Sequence, residues 1–395
     1  MDDIIALRRE LHQNPELSGK EFQTAAKIKD FIHSKAMPDQ TLTLAGHGLA
    51  FIYKGESQGP VILIRCELDA LPIQETNNFD HRSFTKGISH KCGHDGHMAI
   101  LAAVGKHFST NRPKSGQVIL LYQPAEETGE GARAVFEDPV FQDINPDYVF
   151  ALHNVPGYKP HLIRCKTGCF TPAVTSLAIA LKGKTSHAAE PHKGLNPGRA
   201  VSHIIQKAQD ISDNAPPGSI ITLIHILVGE KAYGVSAGDG EIHFTLRGVS
   251  NKDLSYLLEG LKTAARSIAH KDNLEINFSE FESFHANMND EIAVEIIKLA
   301  ADNCSLEYET MEEPNPWGED FGYINSNHIG AMFGLGAGEA SPALHNPDYD
   351  FPDDLIETGS KMFIEITNQI FKEQEDTGQQ TMSPQSAKVL SSKGH

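Results

Sequence analysis

Three times in the first half of the chain, an apolar run of β-strand character ends abruptly in groups that can bind a metal or move a proton. Val61-Ile62-Leu63-Ile64 runs into Arg65-Cys66-Glu67-Leu68-Asp69. Gln117-Val118-Ile119-Leu120-Leu121-Tyr122 runs into Gln123-Pro124-Ala125-Glu126-Glu127, and Tyr148-Val149-Phe150-Ala151-Leu152 into His153-Asn154. Short, continuous apolar runs of this kind predict strands buried on both faces. Helical patterns lie between them, such as Met98 to His107. The alternation predicts an α/β fold with a mostly parallel sheet and helices on both faces. In such sheets the functional crevice lies beyond the carboxyl ends of the strands. Glu67, Asp69, Glu126, Glu127 and His153 are therefore expected to converge despite their separation in sequence.

A loop with ligand chemistry sits between the first two of these strands: His90-Lys91-Cys92-Gly93-His94-Asp95-Gly96-His97. Cys92 and His94, one glycine apart, can reach a single point. A thiolate beside an imidazole suits Zn, Ni, Co or Mn better than Ca or Mg. Two donors do not complete a site, so the remainder must come from elsewhere. Of the adjacent pair Glu126-Glu127, one carboxylate can bind metal while the other stays available as a base. His153 ends a strand and His345 lies in a loop before Asn346-Pro347. Taken singly, each has a structural explanation, an acidic turn or a core histidine. Together Cys92, His94, Glu127, His153 and His345 offer five ligands, the number expected of two ions sharing one bridge. Glu126 is then left to take a proton from water and pass it to a leaving amine. His90 and His97 are expected behind the ligands, and Asp95 as a cap for the following helix.

The chain has 395 residues, which favours two domains. Near residue 172 the texture changes to a β-α-β-β-α-β order, the ferredoxin-like pattern, running through Ser176–Gly183, a helix opened by Asn196-Pro197, Ile220–Ile226, Glu241–Arg247, a helix capped at Ser250, and Leu274–Phe278. A catalytic domain over 1–172 and 284–371, an inserted domain over 173–283 and a disordered tail over 372–395 are predicted. A net charge of −18 argues against nucleic acid or an anionic membrane surface as partner. No apolar run approaches the roughly 18 residues needed to span a bilayer, and the start Met1-Asp2-Asp3-Ile4-Ile5 lacks a basic, apolar leader. Five cysteines, an odd number, show no paired framework. A reduced, cytoplasmic setting is expected.

Seven motifs in order resemble the family of binuclear metallopeptidases and amidohydrolases that includes the aminoacylases and the glutamate carboxypeptidases. They are Leu11–Glu16, Leu68–Ile73, His90–Ala99, Gln123–Glu127, Ser186–Ala189, Gly318–Phe321 and Leu344–Pro347. The likeness is above all to its N-acyl-amino-acid amidohydrolase branch, which holds hippurate hydrolases, auxin-conjugate hydrolases and N-acetyl-diaminopimelate deacetylases. The resemblance implies two divalent ions of Mn, Zn, Ni or Co, with Cys92 as the bridge where most of the wider family uses Asp. It implies His94, Glu127, His153 and His345 as the other ligands, Glu126 as the base and Asp69 as a supporting acid. It also implies that His187 reaches the oxyanion, in family dimers often from the partner subunit. The inserted domain would then be the lid and the dimerisation domain, giving a homodimer or tetramer. A small N-acyl amino acid is the implied substrate, with a dipeptidase or carboxypeptidase as the alternative of the same chemistry. A metal-free binding protein on the same fold is the alternative of another class, and the intact ligand set argues against it. Two departures bear on substrate. Glu67 stands where many relatives in this branch carry Asp, and Gly234-Val235-Ser236 stands where many carry Asn-Val-Ile-Pro with an asparagine that holds the substrate. Arg247 remains available to grip a carboxylate.

Overall fold

The computed structural model describes residues 1–376. Two amphipathic helices open the chain, α1 (Asp2–Gln13) and α2 (Phe22–Lys35). A hairpin of β1 (Gln40–Leu44) and β2 (Gly48–Lys54) leads to β3 (Ser57–Glu67), the first strand singled out in the sequence. Then come α3 (His94–Thr110), β4 (Ser115–Gln123), α4 (Gly131–Glu137), α5 (Pro139–Ile144) and β5 (Tyr148–Val155). Short strands β6 (Ile163–Cys165) and β7 (Gly168–Thr171) follow. Next are β8 (Ala173–Lys182), β9 (Ser186–His187), α6 (Gly198–Asp213), β10 (Ile220–Val228), β11 (Val235–Ser236), β12 (Asp239–Gly248), α7 (Asn251–Lys271) and β13 (Glu275–Phe284). The chain closes with β14 (Asn287–Asn289), α8 (Glu291–Asn303), β15 (Tyr308–Thr310), α9 (Gly322–Asn325), β16 (Ile329–Gly336) and α10 (Leu355–Asp376). The start of the expected 372–395 tail is thus the last turn of α10, and the rest of it lies outside the described residues.

The chain divides into two compact units: Met1–Phe170 with Asn287–Pro314 and the segment from Asp320 onward, and Thr171–Ala286 with Asn315–Glu319. The sequence reading leaves 315–319 in the first domain. These residues pack instead in the second unit, where Arg247 Nη1 donates to the Pro316 carbonyl at 2.9 Å.

In the first unit an eight-stranded sheet runs β1-β2-β4-β3-β5-β16-β6-β15. β3 pairs in parallel with β4 and β5, β5 with β16, and β6 with β15. The hairpin strands and the β16–β6 contact are antiparallel. The hairpin is absent from the sequence reading, because Gly48-Leu49-Ala50-Phe51 carries no alternation and Ala45-Gly46 adopts the positive φ of a tight turn. Apolar residues on both faces of β3, β4 and β5 are fully buried, such as Ile62 and Leu63, Ile119 and Leu120, Val149 and Phe150. α1, α2, α3, α8 and α10 supply the core on one face. α4 and α9 pack against the sheet's other side through β4, β5 and β16. Burying an Ile or Leu of this kind contributes about 1.5–3 kcal/mol, which sets the register of these strands.

The second unit has the β-α-β-β-α-β order expected from the sequence. Its four-stranded antiparallel sheet runs β10-β12-β8-β13. Leu177, Ile179, Leu181, Ile242, Phe244 and Leu246 point to one face, beneath the buried stripes of α6 and α7. Ser250 caps α7, its hydroxyl accepting from the Asp253 N–H. Asn196 holds the start of α6 by accepting from the Gly198 N–H at 2.8 Å. No helix among the described residues is long and apolar enough to cross a membrane.

Candidate metal centre

Within the first unit, the ends of β3, β4 and β5 and two loops bring the chemistry-bearing residues together. Cys92 precedes α3, and His94 is its first residue. Between them Gly93 has φ 95°, and a Cβ there would stand 2.5 Å from Asn154 Oδ1, so only glycine lets the loop close against β5. His94 Nδ1 donates to the Asp69 carbonyl at 3.0 Å, which turns Nε2 inward. His153, in β5, donates from Nδ1 to the Asn154 carbonyl at 2.8 Å and presents Nε2 to Cys92 Sγ at 3.4 Å. Glu126 and Glu127 leave β4 through Ala125, whose φ of 52° is uncommon for a residue with a side chain. That strained turn is held by the Ala125 N–H donating to Glu21 and the Glu127 N–H donating to Asp69 Oδ2 at 3.0 Å. His345, also at positive φ (65°), enters from the loop before α10.

Two of the three-donor groups share Cys92: Cys92, His94 and His153, then Cys92, Glu127 and His345, each with ligand atoms within 4.8 Å of one another; Glu126 falls in a further group with His94 and Glu127. Glu127 faces both halves, with Oε1 3.8 Å from His94 Nε2 and Oε2 3.7 Å from His345 Nε2. Glu126 Oε2 lies 3.9 Å from His94 Nε2. These separations exceed hydrogen-bond length. They suit donors arranged around an ion at metal–ligand distances of roughly 2.0–2.3 Å.

The electrostatics point the same way. His94 Nε2 is buried without a hydrogen-bond partner. Burial would lower the pKa of His94, but Asp69, Glu67 and Glu127 outweigh that and push it up to about 10. Burial raises the Cys92 thiol well above its ordinary value, and Glu127, Glu126 and Glu67 raise it further. Burial drives His153 well below the ordinary imidazole range. Soft thiolate, imidazole and carboxylate donors fit a divalent transition metal.

Behind the donors lie two buried charge networks. In one, Arg65 pairs with Glu67, donates from Nε to Gln123 at 2.9 Å and from Nη2 to Asp320 at 2.6 Å. Glu67 receives His97 Nδ1 at 2.6 Å, and the His97 ring lies 5.0 Å from that of His153. Burial would raise the pKa of Glu67, yet Arg65 and His97 hold it well below the usual carboxylate range. In the other, Asp95 is not a helix cap: its Oδ2 is hydrogen-bonded to His12 Nδ1 and ion-paired with Arg8 Nε, each at 2.8 Å. The expected cap fails because α1 delivers a guanidinium to that carboxylate. His12 Nε2 reaches Glu75 at 3.0 Å, and Glu75 pairs with Lys91. Burial would raise the pKa of Glu75, but His12, Lys91 and the Ser83 N–H bring it down to about 2. Sequence reasoning missed the parts played by Arg65, Arg8, Glu75 and Lys91. Their signal was a full charge inside or beside an apolar run, at Arg65 most clearly.

His187 and Arg247 lie in the second unit. His187 is exposed, in β9 paired with β11, and its Nδ1 accepts the Ala189 N–H at 3.1 Å. Arg247, in β12, is half-buried with one guanidinium arm on Pro316. Gly234 is exposed, and a Cβ there would meet nothing within 4 Å.

Fold and donor set together define an α/β protein with a buried metal-binding cluster at the ends of its strands. The family model for "Peptidase family M20/M25/M40" matches residues 63–369, and the chain belongs to that family. It is 32% identical to an N-acetyl-L-cysteine deacetylase of Bacillus subtilis (strain 168) over 377 residues, spanning 95% of this chain and 89% of that protein. It is 31% identical to an N-acetyldiaminopimelate deacetylase of Lactobacillus helveticus (strain DPC 4571), covering 88% of this chain and 93% of the relative. The Bacillus subtilis YXEP protein, described as a dinuclear metal binding peptidase from M20 family, superposes with a TM-score of 0.80 at 26% identity, over 94% of this chain and 98% of that one.

Proposed function

We propose that this protein is a metal-dependent amidohydrolase that removes the acyl group from small N-acyl amino acids. The observation that carries the reading is the pair of three-donor groups sharing Cys92, with Glu126 beside them. Cys92, His94 and His153 would hold one divalent ion and Cys92, Glu127 and His345 the other. When bound, the ions polarise the amide carbonyl and make water a better nucleophile at neutral pH. Glu126 takes the proton of the attacking water and gives it to the departing amine, which leaves as the free amino acid. Asp69, gripped by Ser18 at 2.7 Å and by the Glu127 N–H, orients His94 and keeps the base–ligand pair in register. His187 is assigned to the oxyanion and the second unit to the lid. The similarity to two deacetylases over nearly the whole chain supports amide hydrolysis of an acylated amino acid above dipeptide cleavage. The unpaired state of all five cysteines suits a reducing, cytoplasmic compartment.

The test is hydrolysis of a panel of N-acetyl, N-benzoyl and dipeptide substrates after chelation and after adding back Mn, Zn, Ni or Co. Turnover of an N-acyl amino acid that vanishes on chelation and returns with metal is expected; activity indifferent to metal would end the reading. The pH dependence has a definite sign. In the metal-free protein His94, with its pKa near 10, and the Cys92 thiol are both protonated at neutral pH. Metal must displace those protons, so apparent affinity rises with pH, by about tenfold per unit for each proton released. Calorimetry in buffers of different ionisation enthalpy reads the protons directly.

The second unit is proposed to join two copies. β10 is an edge strand of its sheet and exposes Ile220, Leu223, Ile224, Ile226 and Leu227, 40–60% accessible. An uncharged, apolar edge strand invites pairing with its own copy across a two-fold axis. Replacing Ile224 and Ile226 with lysine should turn a dimer into a monomer in sedimentation velocity. A wild-type protein that sediments as a monomer at micromolar concentration contradicts this assignment.

A further inference from the structure

We propose that Lys91 is a positioning residue that sets the separation of the Cys92 and His345 donors and thereby governs ion occupancy of the Cys92, Glu127 and His345 group. The inference rests on reading the cluster as a two-ion site.

Lys91 is fully buried, with a side-chain accessibility of 0%. Its ammonium pairs with Glu75 and donates to the Tyr349 carbonyl at 2.7 Å. Its own carbonyl accepts the His345 N–H at 2.8 Å. One residue therefore joins three loop segments: that of Glu75, that of Cys92, and that of His345 to Tyr349. Packing alone does not call for a charge here, since a methionine would fill similar space. Burying an ammonium is costly unless it is well paired, and each of its partners is itself anchored. Glu75 is fixed to α1 through His12 Nε2 at 3.0 Å and accepts the Ser83 N–H at 2.6 Å. The Tyr349 hydroxyl accepts from Asn154 Nδ2 at 2.6 Å, at the end of β5.

The two donor groups differ in what holds them. His153 belongs to a strand and His94 to a helix, each with its second ring nitrogen hydrogen-bonded to a backbone carbonyl. His345 has neither support. It lies outside helix and strand, at a φ of 65° that a residue with a Cβ keeps only where its surroundings impose it. Its side chain is 52% exposed. The loop is tied down by the two Lys91 bonds, with help from the Thr76 N–H on Pro347 and Asn77 on Asp348, both at 3.0 Å. Removing the Lys91 ammonium keeps the His345 N–H bond to the residue-91 carbonyl but takes away the ties to Tyr349 and Glu75, and so loosens the His345 loop, while His94 and His153 stay on a helix and a strand.

The experiment is zinc occupancy by equilibrium dialysis on the full chain, read by elemental analysis, alongside thermal unfolding. Lys91→Met strands the Glu75 carboxylate in the interior, so Lys91→Met/Glu75→Gln is measured beside it. The expected result is two ions in the wild-type protein. In both variants one ion is held as before and the other about 10–100-fold more weakly, the scale for residues that orient ligands, with the double variant melting close to wild type. Two ions at wild-type affinity in the double variant would overturn the proposal. So would a parallel weakening of both ions, which marks a general structural role. A wild-type protein that binds fewer than two ions overturns the two-ion reading itself and the inference with it.

Discussion

Glu126→Gln should lower kcat by about 10²–10⁴-fold while leaving the metal content unchanged. The substitution keeps the side chain's size and removes its ability to accept a proton. Glu126 is 5% exposed and sits 3.9 Å from His94 Nε2, beside the donors rather than within either shared-cysteine group. A loss of that size is about 3–5 kcal/mol of transition-state stabilisation. Elemental analysis of the same preparation is the control, because Glu127→Gln, at the neighbouring position, should instead deplete metal. Retained turnover in Glu126→Gln would mean that another group moves the proton.

The largest effect on stability is expected at Arg65. Arg65 is 1% exposed, and its guanidinium bridges the end of β3 to Gln123 at the end of β4 and to Asp320. Asp320 also accepts the Ala132 N–H at 2.7 Å and two bonds from Gln123. Arg65→Met leaves Glu67 and Asp320 buried without their cation, which costs about 3–5 kcal/mol. Thermal unfolding should show it at roughly 2–4 °C per kcal/mol. Arg65→Met/Glu67→Gln/Asp320→Asn removes the stranded charges too and should recover most of the loss. A single variant that melts within a degree of wild type would show that the carboxylates relax to other partners.

Which features the sequence disclosed follows from how local their physics is. The strand ends carrying Glu67, Glu126 and His153 were visible because an apolar run and its polar terminus are contiguous. The Cys92–His94 pair was visible because both donors sit in one loop, and His345 because the loop motif around it resembles a family. The four-stranded unit was legible from its alternating β12 and the capped α7. Long-range pairing was not. Nothing near Asp95 says that Arg8 will reach it from α1, so a helix cap was the natural expectation, and nothing near residue 316 says that Arg247 will bind its carbonyl. Lys91 reads as one more polar residue in a polar loop until Glu75 and Tyr349 are seen on either side of it. The β1–β2 hairpin was hidden by a run in which both faces of β2 are buried.

The position of β16 has a consequence in time. It lies between β5 and β6 in the sheet, yet it is made after the whole of the second unit. Until residues 329–336 have been synthesised, one edge of β5 has no neighbour, and the loop that brings His345 has not yet been made. Closing so distant a pairing is slow, and an open apolar strand edge is where a nascent chain aggregates. All three residues of the Cys92, His94 and His153 group therefore precede, in chain order, the strand that completes the sheet beside β5. The Cys92, Glu127 and His345 group is complete only once the loop after β16 has been made.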